Sequence, residues 1–199
     1  MKKFILTCFV ALIIASGYAQ GLDLGIKAGA NFANQDISGQ GISLDTKSRA
    51  SFHGGLFVTF MFSEKMGLQP ELLYSIQGSK VEDFDLEQSL DYLSIPILFR
   101  YNINDMISLH AGPQLGLLMA SELTVDGDKE DIKDDFNSTD FGIAVGGEVD
   151  LPMNLGAGIR YVAGLSDIVK EGESWDGAEI KNSVIQVYVK FKILNGTKK

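Results

Sequence analysis

The sequence predicts an all-β fold, an eight-stranded antiparallel up-and-down transmembrane β-barrel, and three observations lead to it. Apolar residues alternate with polar or glycine residues at period two along eight segments, the mark of strands with two chemically different faces. The spacing between the centres of those segments alternates long and short. The apolar faces run nearly uninterrupted, while the opposite faces carry many ionisable side chains.

Composition sets the bounds. The chain has 199 residues with 45% hydrophobic content, too apolar for disorder, and fits one domain or two small ones. Its 22 glycines are irregularly placed and point to many turns and close backbone contacts. A single Cys excludes a disulfide framework and a Cys-based zinc site. The net charge of −9 offers no basic surplus for phosphates, so no nucleic acid partner is expected.

Residues 1–19 read as a secretory signal peptide. Lys2 and Lys3 precede the apolar run Phe4 to Ile14, and the small-residue stretch Ala15-Ser16-Gly17-Tyr18-Ala19 follows. The run is too short for a helical span, which needs about 20 residues. Cys8 lies inside the run rather than at its end after a small residue, so it does not read as a lipidation site. Cleavage after Ala19 leaves a thiol-free domain over residues 20–199 with 15 basic and 26 acidic residues, a net charge of −11. Such a chain suits an oxidising, exported compartment.

The first strand is Leu22 to Phe32, with Leu22, Leu24, Ile26, Ala28, Ala30 and Phe32 on one face and Asp23, Gly25, Lys27, Gly29 and Asn31 on the other. The same alternation marks Phe52 to Phe62, Leu68 to Gly78, Leu93 to Tyr101, Ile107 to Met119, Phe141 to Val149, Leu155 to Leu165 and Ile185 to Ile193. These lengths approach the 9–11 residues, roughly, of a tilted strand that crosses a bilayer. Centred on Ala28, Leu56, Leu72, Ile97, Ala111, Val145, Ile159 and Val187, the separations are 28, 16, 25, 14, 34, 14 and 28. In an antiparallel meander that alternation gathers long loops at one end and the turns Ser63-Glu64-Lys65, Asn102 to Asp105 and Pro152-Met153-Asn154 at the other. Short periplasmic turns with longer external loops are the pattern of bacterial outer-membrane barrels.

The faces assign themselves next. Leu56, Val58, Phe60 and Phe62, then Leu93 to Tyr101 at alternate positions, then Ile185 to Ile193 at alternate positions, form faces fit for lipid. Opposite them stand Lys27, His53, Gln69, Glu71, Arg100, His110, Gln114, Glu148, Arg160, Gln186 and Lys190. An eight-stranded interior is only wide enough for side chains, so these must pair with one another. Phe60, Phe62, Phe99, Tyr101 and Phe191 would form one aromatic girdle, and Phe32, Phe52 and Phe141 the other. Many inward positions are glycine, among them Gly55, Gly112, Gly156 and Gly158, which would leave room for long charged side chains. Pro70, Pro96 and Pro113 fall within strands, where bulges or shifted strand ends are expected.

Four stretches resemble one family. They are Leu24 to Asn31 (LGIKAGAN), Gly67 to Ser75 (GLQPELLYS), Tyr92 to Tyr101 (YLSIPILFRY) and Ala111 to Gly116 (AGPQLG). Together with the leader and the whole mature chain they resemble the small outer-membrane β-barrel, or porin-family, proteins abundant in Bacteroidota. The resemblance implies an eight-stranded barrel in the outer membrane of a Gram-negative cell and no particular activity. Ser94 departs from it, standing where the family pattern has an inward Glu, and Phe191 lies eight residues before the end instead of terminating the chain.

Candidate functional residues follow from the inward charges. Lys27, Glu71, Arg100, Glu148, Arg160 and Lys190 read either as a lumen charge network that plugs the barrel or as an ion or solute path. His53 and His110 share the inward face with Ser108, but strand neighbours at i and i+2 lie about 6.6 Å apart, too far for a nucleophile and base without further help. No catalytic residue, metal site or cofactor is expected. Acidic loops carry Glu82, Asp83, Asp85 and Glu87, then Asp126 to Asp135, then Glu171, Glu173, Asp176 and Glu179. They read as a solvated surface that could meet a partner or divalent cations, although EF-hand spacing is lacking. Phe136 and Trp175 lie in those loops as contact points for a partner. The expected function is a structural or surface-interaction role in contact with membrane lipid, as a monomer. A narrow channel and a soluble lipocalin-like carrier are the alternatives.

Overall fold

The computed structural model describes residues 21–38, 47–81, 86–125, 128–170 and 179–196. The signal-peptide segment 1–19 and the loop residues Glu82, Asp83, Asp85, Asp126, Glu171, Glu173, Trp175 and Asp176 lie outside them. The strands are β1 (Leu22–Ser38), β2 (Lys47–Met61), β3 (Met66–Gln77), β4 (Ser79–Val81), β5 (Leu86–Asn102), β6 (Ile107–Val125), β7 (Asp128–Asp131), β8 (Thr139–Asp150), β9 (Leu155–Gly164) and β10 (Glu179–Asn195). Each of the eight long strands pairs antiparallel with its neighbour, and β1 pairs with β10, which closes the barrel. The short β4 continues β3 beyond Gly78, whose φ of 120° lies where a side chain is rarely tolerated, and β7 folds back on the end of β6.

The two faces follow the alternation. Ile26, Phe32, Leu56, Ile97, Phe99, Tyr101, Val187, Val189 and Phe191 are exposed, and all eleven polar residues assigned inward are buried. This is the reverse of a soluble carrier, whose charged face would be outermost. The eight girdle aromatics all stand at outward positions, with Phe60 partly covered.

The strands run further than the apolar alternation at the long-loop end, and the reason is visible on β5. From Leu93 to Tyr101 its outward residues are apolar, whereas Glu87, Ser89 and Asp91 precede them on the same face and Leu90 and Tyr92 point inward, fully buried. Polarity inverts where lipid gives way to water. A bulge marks the level: Asp91 faces Ala120 and Tyr92 faces Leu118, so Met119 is an extra residue in β6. Among the described residues the only other register shift lies between Leu24 and Gly25, where β1 meets β10.

The prolines therefore do not sit at bulges. The β2–β3 ladder skips Pro70 and Gln69, the β3–β5 ladder skips Pro96 and Ile95, and the β5–β6 ladder skips Pro113 and Gly112, each resuming in unchanged register. Each proline retains its pairing on the other side: Pro70 with Ile97, Pro96 with Gln114 and Pro113 with Ile143. A missing N–H is thus absorbed as a two-residue gap in one ladder. The inward glycines also have a second role. Gly158 makes room for the Tyr188 ring, as space for large side chains requires. At Gly55 and Gly112, by contrast, a Cβ would lie 2.0 Å from the Leu72 carbonyl oxygen and 2.1 Å from that of Ile97, so there the neighbouring backbone itself comes close.

Candidate functional site: the charged barrel interior

Alternation places Lys27 on β1, Glu71 on β3, Arg100 on β5, Glu148 on β8, Arg160 on β9 and Lys190 on β10 at inward positions, and the closed barrel brings all six into contact. Glu71 accepts from both terminal nitrogens of Arg160 at 2.8 and 2.9 Å, from Lys27 Nζ at 2.7 Å and from the Gln69 amide at 2.8 Å. Glu148 accepts from Arg100, from Lys190, from Tyr188 Oη at 2.9 Å and from Lys27 at 3.3 Å. Lys27 bridges the two carboxylates and lies 4.0 Å from the centroid of the Tyr188 ring. The Lys27, Glu71, Glu148, Arg160 and Lys190 side chains are wholly buried, so every charge must find its partner inside.

Five partners were not among the candidate residues singled out from the sequence. Asp150 accepts from Arg100 at 2.8 Å and lies 3.1 Å from Lys190, and Lys192 lies 3.0 Å from Asp23. Tyr188 and Phe57 supply the ring faces over which Lys27 and Lys190 sit. Their parity with Lys27 on β1, His53 on β2, Glu148 on β8 and Lys190 on β10 was the signal that could have found them. Ser94 is buried, and its Oγ has no hydrogen-bond partner among the described residues. The carboxylates of Glu71, Glu148 and Asp150 meet the cations without a contribution from position 94.

Four residues further toward the long loops on β1, β2, β3 and β10, neutral polar side chains take over the inward positions. Asn31, His53, Ser75 and Gln186 replace Lys27, Phe57, Glu71 and Lys190, and Asn31 holds them together through His53 Nδ1 at 2.7 Å, Ser75 at 3.0 Å and Gln186 at 3.1 Å. His110 Nε2 accepts from Arg160 Nε at 3.1 Å, and Ser108 Oγ has no partner among the described residues, so neither histidine meets the serine as a base would. Among the described residues no three His, Cys, Asp or Glu side chains converge as a metal site would require. Above the amides lies an apolar layer of Ala33, Leu98, Ala144, Val162 and Val184.

The outer end is covered by two joined segments. Phe136 and Val169 form an isolated antiparallel bridge, the Asn137 amide donates to the carbonyls of Asp167 and Val169 at 3.0 Å, and Ile168 N donates to Ile180 O. Phe136, Ile168 and Val169 pack onto inward Leu90, Tyr92 and Leu118 as one apolar cluster. Phe136, read from sequence as an exposed contact point, is buried here. Asp128, Glu130, Asp131, Asp134 and Asp135 are exposed around it. At the inner end a vestibule of about 510 Å3 is lined by Asp23, Lys65, Arg100, Asp150 and Lys192 among others.

A closed sheet with a lipid-fit exterior and a charged interior defines an integral membrane β-barrel. The family model of the outer membrane protein beta-barrel domain matches residues 18–170, most of the chain, and this chain belongs to that family. It is an outer membrane protein. Among solved structures, Neisserial surface protein A (NspA) gives a TM-score of 0.56 at 11% identity, covering 85% of this chain and 97% of that one. The attachment invasion locus protein Ail of Yersinia pestis gives 0.49 at 17% identity, covering 85% and 98%. OprG of Pseudomonas aeruginosa gives 0.41 at 15%, covering 88% and 96%. The likeness to NspA, at its identity, is one of fold alone. No curated protein sequence matches the chain.

Proposed function

We infer that the protein is a non-enzymatic, monomeric barrel with a plugged lumen, and that its role is structural or is exercised through contacts of its external loops. The observation that carries this reading is the paired interior: Arg160 is bound to Glu71, Lys27 to both Glu71 and Glu148, and Arg100 and Lys190 each to Glu148 and Asp150. A side-chain network that spans the bore and satisfies its own charges leaves no continuous aqueous path, since an interior of eight strands has little width beyond its side chains. The joined segments around Phe136 and Ile168 add a second obstruction at the outer mouth. The solvated acidic residues Asp128 to Asp135 offer the surface for contacts outside the cell.

Planar-bilayer recording tests the plug. Purified protein should insert without stable unitary conductance at moderate voltage. Reproducible open-channel steps would replace this reading with the narrow channel.

A further inference from the structure

The three short turns at the inner end carry large apolar side chains that face outward or stand on the rim. Phe62 is 63% exposed, Ile103 49%, Met106 52%, Leu151 44% and Met153 84%. Glu64, Lys65, Asn104, Asp105 and Asn154 lie beside them. A periplasmic turn that ended in water would have no use for this much apolar surface. Met153 is held there against its backbone preference. Met153 and Asn154 have φ of 62° and 63°, a type I′ arrangement whose first central residue is ordinarily Asn, Asp or Gly. An outlier of that kind at an exposed tip points to a use for the side chain.

The apolar turns are continuous with the wall that meets lipid. The Phe62 ring lies 6.3 Å from that of Phe99, Met106 runs into exposed Ile107, and Leu151 and Leu155 flank the Met153 turn on the exposed face. At each turn the apolar residues follow directly on outward residues of the wall, with the exposed polar residues Glu64, Lys65, Asn104, Asp105 and Asn154 between them. Ile103, Leu151 and Met153 also border the mouth of the vestibule, interspersed with Glu64, Lys65, Asn104, Asp105 and Asn154.

We propose that the inner rim of this barrel is immersed in the inner phospholipid leaflet, with Phe62, Ile103, Met106, Leu151 and Met153 embedded at the boundary between acyl chains and headgroups. The occupant of the patch is lipid, as continuity with the lipid-facing wall requires. The rim then acts as a depth anchor: it fixes the height of the barrel and brings the vestibule mouth, with Lys65, Arg100 and Lys192, to the headgroup layer.

Single-cysteine variants test this in a Cys8→Ser background. Met153→Cys, Ile103→Cys and Met106→Cys are labelled with an environment-sensitive fluorophore in vesicles of phosphatidylethanolamine and phosphatidylglycerol. Val189→Cys on the wall and Lys129→Cys on the outer surface serve as references, and unheated gel migration confirms folding of each. Nitroxides placed near the headgroup end of the acyl chains should quench the rim labels several-fold more than the Lys129→Cys label, and aqueous iodide should scarcely reach them. Rim labels that iodide quenches as readily as Lys129→Cys, or that neither quencher reaches because protein covers them, would overturn the proposal. Three rim positions keep the test decisive if one variant fails to fold.

Discussion

Arg160 on β9 grips Glu71 on β3 across the barrel through two parallel hydrogen bonds of 2.8 and 2.9 Å, and neither side chain is exposed. The pair joins strands that are not neighbours in the wall, so it fastens opposite sides of the cylinder to each other. Such a bidentate contact is among the strongest a carboxylate can make, and it is costly to leave half-made.

Removing the carboxylate of Glu71 should therefore be severe. Glu71→Ala leaves Arg160 and Lys27 without their main partner and should cost about 3–5 kcal/mol. Urea unfolding in detergent micelles would read the loss. A second change, Lys27→Met, should recover part of it by removing one of the stranded charges. Stability unchanged in Glu71→Ala would show that the network does not hold the barrel together.

The two acidic residues on β8 should differ. Glu148 is wholly buried and meets Arg100, Lys190, Lys27 and Tyr188, whereas the Asp150 side chain is 20% exposed beside the vestibule. Water can replace part of what Asp150 provides and none of what Glu148 provides. Glu148→Gln should lower the midpoint of thermal gel-shift unfolding markedly more than Asp150→Asn does.

Adjacent glycines on β2 offer a contrast that a general dislike of substitution would not give. At Gly55 a Cβ would meet the Leu72 carbonyl oxygen at 2.0 Å, while at Gly54 its nearest neighbour is 3.5 Å away. Gly55→Ala should destabilise by roughly 1–3 kcal/mol through forced backbone displacement. Gly54→Ala should be close to neutral in the same unfolding assay.

The outer cap should separate from the barrel energetically. Phe136→Ala removes the ring that joins the 132–138 and 166–170 segments to Leu90 and Leu118. A loss of roughly 3 kcal/mol in the local cluster is expected. Hydrogen exchange should quicken at Asn137 and Ile168, whose amides bond Ile168 O and Ile180 O, while the barrel amides stay protected. Conductance should remain absent, because the charges around Glu71 and Glu148 obstruct the bore independently.

Period-two alternation made the faces legible in the sequence down to single side chains, because a closed barrel leaves each residue only two directions. Which charge meets which was not legible. Glu71 and Arg160 are far apart in the chain, and their meeting depends on the register summed around the whole wall. The prolines misled because a bulge is one response to a missing N–H, whereas here β3, β5 and β6 each keep register and lose two pairs. The stretch from Leu86 to Tyr92 escaped notice as strand because its outward face turns polar above the membrane. Phe136 and Ile168 lie in segments without any period, so nothing local announced that they would join.

The pairing of β1 with β10, from Asp23 opposite Asn195 to Ser38 opposite Glu179, also decides whether the sheet keeps open edges. Beside β2, the strand that begins the sheet is matched only by β10. Without that pairing the sheet keeps two open edges of unpaired N–H and C=O groups, which invite association with other chains. The segment matched by the family model, 18–170, holds every strand among the described residues except β10. A chain cut before residue 179 would thus carry most of the domain and still lack a closed wall.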